Sequence, residues 1–541
     1  MGGLMTNKSP FDVRGYSLDA LRHMIQYLSP INSAAIIGSR SHPAYLDSYL
    51  RPLGVKTVVV EGEYIDRDYL EDFADYYVKC FKDYGRHCGR LHFFDIDFDT
   101  SAFKSVLSGS TDQLTIKKLQ DAYCGYVVIK PLPQTIIGRT CLKTYPRSST
   151  RDFPAARRFS AHLFGIHLPI DSTLPFQEQD NVVAACATSA LWSVFQATAL
   201  EFQHSLMTPV EITRAATEHF PADTRMIPNR GGLSTAMMAH AIRAVGLEPL
   251  LFTLPRHEVI ALQATLYAYL SGRIPVLMGV GLYDLTRPEG DQLVGHHAVA
   301  VSGYNLTELD ASQRPSPGFR LRAARINKIY AHDDQVGPFA RMGFDGQCVN
   351  LLDAKGAPDQ VPTLSTSWSA RDGSAGRVRA LPTILLVPLY HKIRIPYEDA
   401  FSLVFDFDGF LLSLRNAVGE VVLPMLEWDI RIADINDVKQ DLLISGTLSG
   451  AERFRWLTNS MPRYLWRATG SSDRGRVFDI LLDATDIHTN DGVHAVVNYD
   501  PALATLLATV ASNPQTDGLV APLPGARKII GWFRQTASVG P

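Results

Sequence analysis

The sequence predicts an α+β protein with more than one domain, and three observations lead to this prediction. The chain has 541 residues, whereas single hydrophobic cores stop growing at about 250–300 residues. Two polar stretches, at 145–157 and 353–377, interrupt the apolar patterning and have the composition of linkers. Between them, predicted helices come first and predicted strands follow, an order typical of α+β domains.

The polar stretches define three predicted domains: 1–150, 158–352 and 378–541. The first combines strands, such as 33–38, with a helix whose apolar stripe repeats at helical spacing from Leu70 to Tyr84. We expect an α/β or α+β domain there. The third alternates apolar runs, such as 402–414, with turns, which predicts a β-rich α+β domain. The sequence leaves the roles of these two outer domains open.

The middle domain carries clear start and stop signals for its elements. A helix is predicted to begin at Cys186, with an apolar stripe that continues to Thr198. The next helix opens with Thr208 and Glu211 at the spacing of a capping box. Further helices and a strand lead to the segment 294–305, VGHHAVAVSGYN, which reads as a buried strand that begins with two histidines.

Composition argues against several classes of partner. The formal net charge is -3 and no cluster of lysine and arginine stands out, so we expect no nucleic-acid partner. No stretch approaches the roughly 18 apolar residues that a membrane span needs, and the N-terminus lacks the apolar core of a secretion signal. Six cysteines without framework spacing suit a reducing compartment, so we expect a cytoplasmic protein. The oligomeric state stays open.

Cys186 is the candidate nucleophile. It lies at the start of a predicted helix, where unpaired backbone N–H groups and the positive end of the helix dipole stabilise a thiolate. A cysteine flanked by alanines is often only a small buried hydrophobe, so its partners decide the interpretation. Gln179, seven positions earlier, has a side-chain amide that could donate to a developing oxyanion, and Gln177 is the alternative donor.

His297 is the candidate general base, because it stands at the start of a buried strand where an imidazole could reach a thiol. Its neighbour His296 is expected to point to the opposite face. A third group should orient the imidazole, and Asp333 and Asp334 lie at the end of the next apolar strand. Asp333 is the favoured candidate and Asp334 stays as the alternative.

The strand HAVAVSGY, 297–304, resembles the histidine strand of papain-like cysteine peptidases. The order of helix, glycine, apolar strand and histidine strand looks most like the bacterial leader-peptidase-like branch, which includes bacteriocin-processing enzymes. The resemblance covers roughly 170–345 and implies a helical half followed by an antiparallel sheet. By position it implies a role for four residues: Cys186 as nucleophile, His297 as base, Asp333 as orienting acid and Gln179 as oxyanion donor.

The predicted function is a thiol hydrolase that cleaves a peptide or isopeptide bond of a peptide or protein substrate through an acyl-enzyme. The family places its glutamine six residues before the cysteine, where this chain has Asp180. Two alternatives remain: an amidase or acyl transferase with the same triad, and a catalytically inactive papain-like binding module. We expect no cofactor. The cysteines and histidines between 80 and 92 lack the spacing of standard zinc ligands, so we expect no metal site.

Overall fold

The computed structural model describes residues 10–31, 34–109, 114–180, 185–219, 232–308, 318–419, 423–487 and 492–538. They form two compact units, of which the first comprises Met1–His257, Ile274–Asn305 and Lys328–Pro388 and the second comprises Glu258–Arg273, Leu306–Asn327 and Leu389–Pro541. Helices and mainly antiparallel sheets confirm the α+β class. Both polar stretches lie inside the first unit, so the boundaries of the two compact units differ from those of the three predicted domains. That these domains are independent stays a prediction.

A five-stranded antiparallel sheet opens the first unit, with its strands in chain order. Its strands are β1 (Phe11–Gly15), β2 (Thr57–Tyr64), β3 (Cys88–Phe94), β4 (Tyr123–Ile129) and β5 (Ile137–Leu142). The helices around it are α1 (Leu18–Leu28), α2 (Ala34–Gly38), α3 (Ser41–Leu50), α4 (Arg67–Asp75), α5 (Thr100–Leu107) and α6 (Ile116–Ala122). Val58 packs into one apolar cluster and Val59 into another. Neighbouring side chains on a strand point to opposite faces, so these two clusters bury both faces of the sheet.

Two local predictions in this region are wrong. Residues 34–38, predicted as part of a strand, form α2, because a short apolar run fits one turn of helix as well as a strand. The helix predicted from Leu70 to Tyr84 ends at Asp75, and a short 3-10 helix, Tyr77–Lys79, follows. The Tyr77 hydroxyl donates to the buried carboxylate of Asp180. This tertiary contact accompanies the end of the regular helix.

An eight-stranded sheet carries the candidate histidine and aspartates. Its strands are β6 (Arg151–Asp152), β9 (Leu247–Thr253), β10 (Val276–Asp284), β11 (Leu293–Leu306), β13 (Ile326–Asp333), β14 (Gly337–Gly343), β17 (Leu364–Ser365) and β18 (Val378–Tyr390). The order is β10-β11-β13-β14-β17-β18-β9, β6 pairs with β11, and β10 also pairs with β18. Six of these strands therefore close into a ring. Two hairpins, β7 (Arg157–Leu163) with β8 (Ile166–Thr173) and β15 (Cys348–Leu352) with β16 (Pro358–Pro362), complete the strands of this unit.

Three further helices of the first unit follow the sequence prediction. They are α7 (Cys186–Phe202), α8 (Pro209–Thr217) and α9 (Thr235–Ala244). The predicted capping box is formed, since the Thr208 backbone N–H donates to Glu211 Oε2 at 2.7 Å. The helix α7 begins at Cys186 as expected, and most of its side chains are buried.

The second unit has its own sheet, in the order β12-β19-β20-β21-β22. These strands are β12 (Arg320–Leu321), β19 (Glu427–Asp434), β20 (Tyr464–Ser472), β21 (Gly475–Asp483) and β22 (Val493–Asn498). The helices are α10 (Val259–Ser271), α11 (Tyr397–Val418), α12 (Ile435–Ile444), α13 (Gly450–Thr458), α14 (Pro501–Ser512), α15 (Thr516–Val520) and α16 (Pro524–Ser538). Among the described helices, none combines the length and apolar character of a membrane span.

The apolar run 402–414 was predicted as part of the β-rich pattern, and this prediction is wrong because the run lies within α11. Its buried residues Val404, Phe407, Leu411 and Leu414 recur every three or four positions. This is the helical period, although the alternation of Phe405, Asp406, Phe407 and Asp408 also resembles a strand. The second unit is consequently richer in helix than predicted.

Gly303 explains part of the composition of the histidine strand. On β11 it faces β6, where Tyr304 pairs with Asp152. A Cβ atom at Gly303 would lie 2.6 Å from the Asp152 carbonyl oxygen and 3.2 Å from the Phe153 Cα. Both contacts involve backbone, which cannot move aside as a flexible side chain can. Glycine is needed here because the backbones of two segments of the chain approach each other closely.

We predict that Gly303→Ala lowers the free energy of unfolding by about 1–3 kcal/mol, the usual cost of overpacking. Chemical denaturation monitored by fluorescence measures this change. Gly15→Ala is the matched control, because a Cβ atom on this strand glycine meets nothing within 4 Å. Equal stability of the two variants would contradict the steric explanation.

Candidate active site

Cys186 occupies the first position of α7. The preceding residue, Ala185, has extended backbone angles and no side chain that can cap the helix. The first-turn N–H groups are therefore not satisfied by an N-cap side chain, and such groups favour a negative charge at this end. Cys186 is half-buried, and its side chain interacts with that of His297 so as to raise the pKa of the imidazole.

His297 is buried on β11, and its strand pairs with β10 through Val280. His296 is exposed, so the predicted difference between the two neighbouring histidines is confirmed. The Nε2 atom of His297 lies 3.0 Å from Asp333 Oδ1. Since Nε2 is engaged by the aspartate, Nδ1 is the ring nitrogen left for the Cys186 thiol.

Asp333 ends β13, and both of its carboxylate oxygens accept hydrogen bonds. Oδ1 accepts from His297 and, at 3.1 Å, from the Gln335 backbone N–H. Oδ2 accepts from the Trp368 indole N–H at 2.7 Å. The Trp368 ring also packs edge-on against the His297 imidazole, with 5.2 Å between the ring centroids. The aspartate and the tryptophan thus fix the imidazole from two directions.

Trp368 was missed by the sequence analysis. It lies in the polar stretch 353–377, which was interpreted as a linker. A lone tryptophan among serines and threonines in such a stretch was the available signal, because an exposed linker has no use for a large apolar ring. Its contact with Asp333 joins residues 35 positions apart in the sequence.

Asp334 brings a second carboxylate to the same imidazole. Its Oδ1 lies 3.5 Å from His297 Nε2 and makes no hydrogen bond. Its Oδ2 accepts from the Gln335 side-chain amide at 3.2 Å. Its backbone carbonyl lies 3.0 Å from Nε2 of the buried His42, which comes from α3. The hydrogen bond from His297 therefore goes to Asp333, while Asp334 approaches as a charge alone.

The electrostatics of the cluster follow from burial and from these distances. Burial by itself lowers the pKa of His297, but the charges of Asp333 and Asp334 outweigh it and hold this pKa well above its usual value. Burial would raise the pKa of Asp333, yet the attraction and hydrogen bond of His297 lower it. Burial, assisted by repulsion from Asp333, raises the pKa of Asp334 to about 6. An imidazolium flanked by two carboxylates is the arrangement expected near neutral pH.

The loop after β13, which contains Asp334, contacts His42 from the N-terminal part of the chain. Nδ1 of His42 lies 3.7 Å from Glu178 Oε1. The other Glu178 oxygen accepts the backbone N–H groups of Ile136 and Ile137, each at 2.9 Å. The segment around Glu178 and the loop after β13 are thereby linked through one histidine.

The two candidate oxyanion donors lie on either side of Glu178. Gln177 is buried, and its amide nitrogen has no hydrogen-bond partner. Gln179 is half-buried and lines a polar cavity of about 340 Å³ together with His42 and Gln335. Residues 181–184 lie outside the described residues, so the described part of the chain does not join either glutamine directly to Cys186. Asp180, which takes the position of the family's glutamine, binds the Tyr77 hydroxyl instead.

Spacing alone would also suit a metal ion at this cluster. His297, Asp333 and Asp334 each offer one ligand atom, and these atoms lie within 4.8 Å of one another. The hydrogen bonds that Asp333 accepts from His297 and Trp368 already account for this geometry. We therefore interpret the cluster as a hydrogen-bonded Cys-His-Asp arrangement.

No protein-family model matches the chain, and no curated protein matches it.

We predict that Cys186 reacts with iodoacetamide at pH 6.5 at least about tenfold faster than the exposed Cys348, because the thiolate is the reactive form and only Cys186 has an imidazole beside it that can stabilise this form. His297→Ala should abolish this preference, since the imidazolium that stabilises the thiolate is gone. Peptide mapping by mass spectrometry measures both rates in one sample. His296→Ala is the matched control and should keep the preference. A loss of preference in both variants would contradict the assignment of His297.

Proposed function

We propose that the chain is a thiol hydrolase that cleaves a peptide or isopeptide bond through a Cys-His-Asp mechanism. One observation carries this proposal: the buried imidazole of His297 is hydrogen-bonded to Asp333 and also interacts with the Cys186 side chain. A thiol, a base and an acid that orients the base are the parts that covalent acyl transfer requires.

The proposed mechanism has two half-reactions, acylation of Cys186 and hydrolysis of the resulting thioester. The Cys186 thiolate attacks the substrate carbonyl carbon, and the carbonyl electrons move to oxygen. When the tetrahedral intermediate collapses, the C–N bond breaks and His297 gives its proton to the leaving amine. The neutral imidazole then removes a proton from water as the water oxygen attacks the thioester; the C–S bond breaks, the carboxylic acid leaves, and the thiolate–imidazolium pair is restored. Asp333 keeps the Nε2–H tautomer and stabilises the imidazolium.

The direction of the histidine shift fits this cycle. Because the two carboxylates hold the pKa of His297 above its usual value, the imidazolium persists at neutral pH. The leaving amine thus meets a proton donor from the start of the reaction. As the pH rises through the raised pKa, the donor is lost and the rate should fall. The alkaline limit of activity therefore reports on His297.

The order of Gln, Cys, His and Asp along the chain is similar to that of papain-like cysteine peptidases. This similarity supports an amide of a peptide or protein as the substrate. A half-exposed thiol supports a reactive site over an inactive binding module. An amidase or acyl transferase uses the same acyl-enzyme and differs only in the substrate or in the group that accepts the acyl chain.

We predict that Cys186→Ser and Cys186→Ala reduce peptide cleavage by at least about 10³-fold, because removal of a nucleophile in related triads has effects of this size or larger. A peptide library is incubated with each variant in the presence of EDTA, and mass spectrometry of the products measures this loss. Cys348→Ser is the control and should cleave like the parent. Cleavage that persists in Cys186→Ala would refute the proposed function. Hydroxylamine should trap the acyl group in the parent as a hydroxamate, which detects the acyl-enzyme that hydrolysis and acyl transfer share.

A separate prediction concerns the oxyanion donor. Removal of one such donor lowers kcat by about 10²–10³-fold. Gln177 has a buried amide nitrogen without a partner, and this unmet donor is what an oxyanion would satisfy. We therefore expect Gln177→Ala to show the larger fall in kcat, and Gln179→Ala to show the smaller. Steady-state kinetics on one cleaved peptide compares them. The reverse order would return the role to Gln179.

A further inference from the structure

A single carboxylate is enough to orient an imidazole, yet this site holds two. Asp333 takes the hydrogen bond from His297 Nε2 at 3.0 Å, and Asp334 Oδ1 lies only 3.5 Å from the same nitrogen. Both carboxylates are buried, with 4% and 3% of their surface exposed. Water therefore screens neither charge well, and the extra carboxylate is costly unless it interacts with a cation.

The position of Asp334 is fixed by contacts that leave Oδ1 unused. Its backbone carbonyl is held by His42 and its Oδ2 by the Gln335 amide. Oδ1 makes no hydrogen bond and faces His297 Nε2. The contacts thus turn one bare carboxylate oxygen toward the imidazole without competing for its proton.

We propose that Asp334 is a positioning residue that places a second negative charge beside His297 and thereby keeps the thiolate–imidazolium pair of Cys186 and His297 intact to higher pH than Asp333 alone would. This inference rests on the proposed function of the site. Asp334 touches neither thiol nor substrate in this role and acts only through the imidazole. The division of labour is that Asp333 sets the tautomer and Asp334 adds charge.

The surrounding charges are consistent with this role. Among the described residues, the titratable groups that most affect the imidazole are Asp333, Asp334 and Cys186. Behind Asp334 lie His42 and Glu178, which are 3.7 Å from each other. Burial raises the pKa of Asp334 to about 6, so its carboxylate is ionised at neutral pH and available to the imidazolium.

The test measures the titration of His297 without any substrate. The full chain carrying Cys186→Ser, labelled at its histidine rings, is titrated by NMR, and His297 is identified by the signal lost on His297→Gln. Addition of Asp334→Asn should lower the midpoint of His297 by about one pH unit or more, since an opposite charge at this distance shifts a pKa by about 1–3 units. A purely structural role of Asp334 would leave the midpoint of His297 unchanged, and this result would overturn the proposal.

Two further variants complete the experiment. Asp333→Asn leaves Asp334 in place, so the midpoint should stay above the usual value near 6.5; a fall to that value or below would overturn the proposal even if Asp334→Asn fails to fold. Asp359→Asn is the matched control, because it removes the carboxylate 2.8 Å from another imidazole, that of His257. It should leave His297 unchanged. Failure of the proposed function is distinguished separately, by cleavage that survives Cys186→Ala.

Discussion

The rest of the candidate site depends on one interaction, that between the buried imidazolium of His297 and the carboxylate of Asp333. Such a charge is stable only when opposite charge lies close by. His297 has Asp333 at 3.0 Å for this purpose. Asp333 is itself buried and needs donors, which Trp368 and the Gln335 backbone supply. Each step of burial thus calls for the next polar contact, until the network reaches the surrounding backbone.

These supporting contacts come from distant parts of the chain. His42 lies on α3, Glu178 precedes α7, and Trp368 follows β17. The segment 158–352, predicted as a papain-like domain, contains neither His42 nor Trp368. The candidate site is therefore a property of the whole first compact unit. A reactive group placed on a closed ring of strands and one buried helix gains rigidity from both.

Asp180, six residues before Cys186, has a structural role. Asp180 is buried and accepts the Tyr77 hydroxyl, so its side chain is already engaged. An amide donor for an oxyanion has to come from a neighbouring position. Gln177 and Gln179 stand on either side of Glu178, which is fixed by two backbone N–H groups. A small change in sequence position is compatible with the same chemistry when the backbone segment that carries the donor is itself anchored.

The sequence by itself determined the α+β class, the start of the helix at Cys186, the histidine strand and the opposite faces of His296 and His297, because these features follow from local periodicity. It also named the Cys, His and Asp residues that lie together. Only the tertiary structure decided which carboxylate accepts the hydrogen bond, since Asp333 and Asp334 are adjacent and a strand end does not fix their directions. It also supplied His42 and Trp368, because contacts between residues far apart in the chain leave no periodic trace in either segment. The misread run 402–414 has the same cause, as burial on one face fits more than one local pattern until its packing partners are known.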